Sequence, residues 1–194
     1  RFVVTEIEAD TGDVFARNPL AGEYSDGVVF AAVVGPDAVH SVHATCDRAA
    51  FIGRGGSPAR PAALQDTAPL DGRAGAGLDP CIAQQVVIEI PPGGSAEVCF
   101  LFGEALPAGR ANGHPTSEGD AATNARALIA RRREPGAVAR SLHEARQLWT
   151  HATSALRIST PSPALDLMLN GWLLYQTVAC RMWGRSAFYQ SGGA

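Results

Sequence analysis

At His114-Pro115 the sequence changes its grammar, and that switch constrains the fold more than any other feature. Before it, short runs rich in Val, Ile and Phe are separated by clusters of Gly, Pro and Asp, the pattern of strands and turns. After it come helix formers and apolar residues spaced by three and four. Strands first and helices last define a mixed fold, β then α, and an antiparallel sandwich is the arrangement that best suits the first part.

The opening "RFVVTEIEAD" is strand-like, and the clearest strands follow at Val28 to Val34, His40 to Thr45, Cys81 to Ile90 and Ala96 to Gly103. The last two flank "PPGGS" (Pro91 to Ser95), which predicts a hairpin connection, because Pro cannot continue a ladder and Gly supplies turn dihedrals. Gly53 to Pro80 is a long Gly/Pro/Ala-rich excursion, expected to be a surface loop that wraps or covers something. It holds no P-loop, since no Gly-Lys-Ser/Thr follows, and "GRAGAG" spaces its glycines wrongly for a dinucleotide fingerprint.

Beyond the switch, Ser117 followed by Asp120 resembles a capping box ahead of a helix over Ala121 to Arg133, which "EPG" (Glu134 to Gly136) breaks. A second helix puts Val138, Leu142, Ala145, Trp149 and Ala152 on one face, as a connector lying against a neighbour would. A third starts with Ser162 as N-cap, Pro163 at the first helical position and Asp166 near the positive end of the dipole. From Leu165 to Trp183 it is apolar on nearly every side, so other helices should surround it. One helix cannot supply those neighbours. A piece of a longer protein is therefore expected, with residues 1–115 as the later part of a β-sandwich, 116–160 as a helical linker and 161–194 as the start of a second domain.

All sixteen basic residues are arginine, and the net charge is −3. A mildly acidic chain gives no electrostatic reason to expect nucleic acid or an anionic membrane as partner. Arg131-Arg132-Arg133 reads as a solvated helix end. Cys46, Cys81, Cys99 and Cys180 stand far apart and read as buried free thiols, with no metal ligand spacing among them. His40 and His43 point to opposite faces of a strand and make a poor metal pair, and His114, His143 and His151 have no Ser or Cys partner at motif spacing, so no nucleophilic triad is expected. Asp10, Asp13, Glu23 and Asp26 read as surface charges.

Three stretches, Asp47 to Leu64, Gly75 to Ala105 and Leu169 to Ala194 ("LNGWLLYQTVACRMWGRSAFYQSGGA"), resemble the cellobiose phosphorylase family of inverting glycoside phosphorylases. This is glycoside hydrolase family ninety-four, formerly glycosyltransferase family thirty-six. The resemblance is strongest to the branch holding the C-terminal region of cyclic β-1,2-glucan synthetases and the 1,2-β-oligoglucan phosphorylases. It implies a super-sandwich, a helical linker and the first helix of an (α/α)6 barrel. The implied chemistry is phosphorolysis of a β-glucosidic bond with inversion, or glucosyl transfer, with phosphate in the place water takes in an inverting glycosidase.

Phosphate arrives as an anion and needs positioning rather than a base, and the planar fork of an arginine suits it. The family pattern places its phosphate-holding arginine at Arg185, in "GRSAFYQSGG", with Tyr189, Gln190 and Ser191 approaching the sugar. Each has a plainer reading: Arg185 closing the helix C-terminus, and Tyr189 packing in a core. The family's catalytic acid and its Phe-Arg-Asp motif have no match here, so no catalytic residue is assigned and the chain alone is expected to be inactive. The resemblance further implies no cofactor beyond inorganic phosphate as co-substrate, a β-linked glucan or gluco-oligosaccharide as partner, and a homodimer through the sandwich. It implies a cytoplasmic location, whether as a cytosolic enzyme or as the cytoplasmic portion of an inner-membrane synthetase. An autonomous carbohydrate-binding β-sandwich and a dimerisation module are the competing readings.

Overall fold

The computed structural model of the chain describes residues 2–22, 25–35, 39–65, 67–107, 120–154 and 157–180. They fall into two compact units, one reaching Ala137 and one starting at Val138. Antiparallel sheets come first and helices follow, as the change of grammar requires.

In the first unit, strands β1 (Val4–Ile7), β2 (Val14–Arg17), β3 (Val28–Val34) and β6 (Cys99–Ala105) form one antiparallel sheet in the order β1-β2-β3-β6. Strands β4 (Val39–Asp47) and β5 (Pro80–Ile88) pair with each other in a second. Alternation decides what each face of the larger sheet meets. Phe15, Val28, Phe30, Ala32 and Ala105 face helix α2 (Ala121–Arg133), whose Ala121, Ala125 and Ile129 recur every four residues and are buried against them. Val14 points the other way, into a small core with Ala44 and Cys46 of β4. Burial of side chains such as Val14 and Ile129 contributes about 1.5–3 kcal/mol each.

The predicted hairpin at Pro91 to Ser95 is overturned. Gly94 N–H closes a tight turn on the Pro91 carbonyl (2.9 Å), but the strands on either side enter different sheets, β5 beside β4 and β6 beside β3. Turn residues encode a change of direction and not a partner. The partner is set by shape: β6 places Gly103 opposite Phe30, where a Cβ would stand 2.7 Å from the ring's Cζ.

The long excursion carries two short helical turns, α1 (Arg48–Ile52) and a 3₁₀ turn at Ala62–Leu64. It then runs as a strap between the sheets. Gly72 N–H bonds the Ala44 carbonyl and Cys46 N–H bonds the Arg73 carbonyl, while Thr5 N–H of β1 bonds the Gly75 carbonyl. The strap is held by Asp47, whose Oδ1 caps α1 through Ala49 N–H and whose Oδ2 lies 2.8 Å from Arg73 Nη1. The wrapping expected from composition is thus a hydrogen-bonded joint between two sheet edges.

Helix α2 has the predicted bounds but not the predicted cap. Asp120 is itself the N-cap residue, with extended backbone and no side-chain cap bond, so it does not serve as the third helical residue of a capping box; Ser117 lies outside the described residues. Glu134 leaves the helix with extended dihedrals, as a residue before proline must. Helix α3 (Ala137–Ser154) follows.

The second unit also contains α4 (Pro163–Leu167), a π-helical turn (Met168–Trp172) and α5 (Leu173–Val178), one continuous helical run. Its apolar surface is exposed, Leu167 at 76% and Trp172 at 56%, in keeping with the all-round apolar pattern of its sequence.

Candidate functional site

Arg185, Tyr189, Gln190 and Ser191 lie outside the described residues. What is described is the helical run that leads to them. Ser162 occupies the N-cap position, but its hydroxyl makes no cap bond. The longer reach is made by Asp166, whose Oδ1 accepts from Thr160 N–H (2.8 Å), while Thr160 Oγ1 accepts from Ser162 N–H (3.1 Å). One turn further, the Asn170 amide pairs with both backbone groups of Ile158: Oδ1 accepts from its N–H and Nδ2 donates to its carbonyl, each at 2.7 Å. Residues 158–160 are thereby fastened along the start of the helix. Tyr175 packs between Trp149, ring centroids 5.6 Å apart, and Trp172, at 6.0 Å.

Asn170 lies in the π-helical turn, where Leu173 N–H reaches five residues back to the Met168 carbonyl. In the sequence Asn170 stands only as a polar interruption of the apolar run from Leu165 to Trp183. A lone Asn in such a helix is the signal that was available.

The first unit contains a groove of about 370 Å³, lined by Glu6, Phe15, Arg17, Val28, Asp120 and Arg126 among others. Arg126 donates through Nε to Glu8, stands 3.7 Å from Glu6, and lies 4.8 Å over the Phe15 ring centroid. The Glu8 hydrogen bond raises the Arg126 pKa further above its ordinary value. The groove therefore presents a cation that is already paired.

The acidic and basic residues read as surface charge are corrected at one pair. Asp13 is 2% exposed, and its Oδ1 lies 2.6 Å from Nη2 of Arg133, the last residue of the arginine run. The helix end is solvated at Arg131 and Arg132, whereas Arg133 turns inward because Asp13, at the β1–β2 turn, would otherwise be buried without a counter-charge.

The cysteines also differ from expectation. Cys46 is buried, Cys81 and Cys99 are partly covered, and Cys180 is exposed. Burial raises the Cys46 thiol and pushes Cys81 up to about 11. His43 Nε2 shares a 3.2 Å hydrogen bond with Ser41 Oγ, and the side chain of His40 lies outside the described residues. Among the described residues no three His, Cys, Asp or Glu side chains gather as metal ligands, and no helix is long and apolar enough to cross a membrane.

Comparison with known proteins joins the two units in one family. Residues 1–135 match the glycosyl hydrolase 94 supersandwich domain, and residues 148–194 match the glycosyl hydrolase 94 superfamily catalytic domain. The whole chain is similar to the cyclic beta-(1,2)-glucan synthase NdvB of Rhizobium meliloti (strain 1021), with 31% identity over 193 residues. The chain spans 6% of the length of that relative. A supersandwich followed directly by catalytic-domain sequence agrees with the sheets-then-helices order of the structure, and the chain belongs to the glycosyl hydrolase 94 family.

Proposed function

We propose that this chain forms part of an enzyme that acts on β-glucans by inverting phosphorolysis or glucosyl transfer, as the sandwich, linker and first barrel helix beside the phosphate site. Residues 1–115, 116–160 and 161–194 are the three parts in this reading. The observation that carries it is the run of two family matches along one chain, together with similarity over its full length to a glucan synthase.

In this reading Arg185 holds two oxygens of phosphate, and Tyr189, Gln190 and Ser191 approach the sugar. Phosphate is the nucleophile, attacking the anomeric carbon from the face opposite the leaving group. The leaving oxygen takes its proton from a carboxylic acid that this chain does not provide. No cofactor takes part. The substrate is a β-linked glucan or gluco-oligosaccharide, the sandwich forms a homodimer interface, and the location is cytoplasmic.

The test is Arg185→Ala in the full-length enzyme, assayed for phosphate dependence. A rise in the phosphate KM with the glucan KM unchanged supports the assignment; an unchanged phosphate KM refutes it.

A second reading draws on Phe100 and Phe102, which stand 59% and 77% exposed on the face of β6 turned away from α2. Exposed aromatic rings suit stacking on sugars, as an autonomous carbohydrate-binding sandwich would require. Glucan binding by residues 1–137, lost in Phe102→Ala, would favour it.

A further inference from the structure

We propose that Cys46 and Cys81 form an oxidation site, closing to a disulfide that fastens the strap to the second sheet. The proposal is independent of the phosphate reading.

In the ladder of β4 and β5, Thr45 stands opposite Ala83 and Asp47 opposite Pro80. One residue of β4, Cys46, therefore faces two of β5, Cys81 and Ile82, and the ladder has a bulge there. Ile82 packs on the small core that holds Cys46. The Cys81 thiol donates to the Thr45 carbonyl (3.8 Å), the oxygen of the peptide bond that joins Thr45 to Cys46. Opposed Cα atoms of an antiparallel ladder stand about 4.5–5.5 Å apart, within the roughly 4.4–6.8 Å that a disulfide spans. Both thiols are held weakly where they are, Cys81 by the Thr45 carbonyl and Cys46 by the Thr5 side chain. Joining them gives up two weak hydrogen bonds and no backbone pairing.

The position gives the bond its consequence. Cys46 and Cys81 bracket the excursion from Arg48 to Asp79, whose two ends already meet where Arg48 N–H bonds the Asp79 carbonyl (2.8 Å). Cys46 N–H holds the strap itself, at the Arg73 carbonyl. A covalent link here closes the whole excursion into a ring and restricts every opening of the strap. It acts beside the Asp47–Arg73 ion pair, which holds the same segment without a covalent bond.

The oxidant is a low-molecular-weight disulfide such as oxidised glutathione. Cys81, partly covered where Cys46 is buried, reacts first: its thiol loses a proton to solvent and its sulfur attacks one glutathione sulfur, breaking the S–S bond and releasing one glutathione thiol. The Cys46 thiol then loses its proton and attacks the Cys81 sulfur, releasing the second glutathione. Two cysteines are oxidised and one glutathione disulfide is reduced to two thiols. Burial, with a smaller contribution from nearby Cys46, pushes the Cys81 thiol up to about 11, so the first step is slow at neutral pH and quickens as the pH rises.

The test incubates the full-length enzyme with oxidised glutathione at pH 9, then maps its cysteines by tandem mass spectrometry without reduction. We expect peptides joined through Cys46 and Cys81, released by dithiothreitol and absent from Cys81→Ser. Hydrogen exchange of the Thr5 and Gly72 amides, both bonded across the strap, should slow at least threefold on oxidation at fixed pH, and should not change in Cys81→Ser. Glutathione retained on Cys81 with Cys46 still a free thiol, both thiols free, or Cys46 joined to any other cysteine would overturn the proposal. So would a Cys46–Cys81 link that leaves strap exchange unchanged. Should Cys81→Ser fail to fold, the wild-type enzyme compared before and after dithiothreitol decides.

Discussion

Arg133 Nη2 lies 2.6 Å from Asp13 Oδ1, joining the last residue of α2 to the turn between β1 and β2 across 120 positions of sequence. The same guanidinium group donates to the Val33 carbonyl (3.4 Å). Asp13 is almost wholly buried while Arg133 keeps about a third of its side chain in solvent. Removing the arginine therefore leaves a buried carboxylate alone, whereas removing the carboxylate leaves a cation that can turn outward. Arg133→Met should cost about 2–3 kcal/mol, somewhat below the range for a fully buried pair. Asp13→Asn should cost less, and the double variant less than the sum. Urea denaturation of the four proteins in a double-mutant cycle checks this.

Gly12 and Gly22 make a matched comparison, since both have positive φ, 67° and 63°. A Cβ on Gly12 would stand 2.6 Å from Val42 Cγ1, whereas nothing lies within 4 Å of one on Gly22. Gly22→Ala should cost about 1 kcal/mol, the backbone strain alone. Gly12→Ala should cost at least about 1 kcal/mol more, because Val42 sits on β4 and the β1–β2 turn must move away from it. Equal unfolding midpoints for the two variants would contradict the close packing of that turn on the second sheet.

The strap between the sheets has a pH dependence of known sign. Arg73, hydrogen bonded to Asp47, holds the Asp47 carboxyl below its ordinary value. As the pH falls, the unfolded chain takes up this proton before the folded chain does, so stability is lost on acidification. The contribution is complete above the ordinary carboxylate pKa, about 4, and disappears as the pH drops through the lower folded value. The difference in urea midpoint between wild type and Asp47→Asn should be largest near pH 6 and should shrink below about pH 4. The protection factors of the Gly72 and Cys46 amides, both bonded across the strap, should fall over the same range once the intrinsic pH dependence of exchange is divided out.

Thiol reactivity should sort the cysteines by environment. Cys180 is exposed, while burial shields Cys46 and the Cys81 thiol is pushed up to about 11. At pH 8, with the chain folded, an alkylating reagent followed by peptide mass mapping should find Cys180 modified first, and Cys46 modified only after denaturation. Early modification of Cys46 would contradict the core it shares with Val14 and Ala44.

The sequence revealed single elements well and their pairing poorly. The bounds of β3 and α2 were readable because each carries its own local signal, a continuous apolar run bounded by turns in one and a run of helix formers stopped by Glu134-Pro135-Gly136 in the other. Which strand lies beside which depends on contacts distant in sequence. "PPGGS" looks the same whether it joins two strands of one sheet or crosses between sheets, and the fit of Phe30 over Gly103 is not a local signal. The strap at Asp71 to Gly75 was equally hidden, since it bonds through backbone groups and has no periodicity of its own. Asp13 and Arg133 were misread for a related reason: burial of a charge is decided by what the fold places next to it. For the candidate site, the family was legible in the motif around Arg185, and Arg185, Tyr189, Gln190 and Ser191 lie outside the described residues.

The central proposal, taken in its phosphorolytic form, is that this chain forms part of an enzyme that releases glucose 1-phosphate from β-glucans and does not itself contain the acid that drives the reaction. The most direct measurement is proton NMR of β-1,2-gluco-oligosaccharide incubated with inorganic phosphate, once with the full-length enzyme and once with residues 1–194 alone. The account predicts the anomeric signal of α-glucose 1-phosphate with the full-length enzyme and none above a buffer control with the chain alone. The β anomer, no sugar phosphate from the full-length enzyme, or turnover by the chain alone would contradict it.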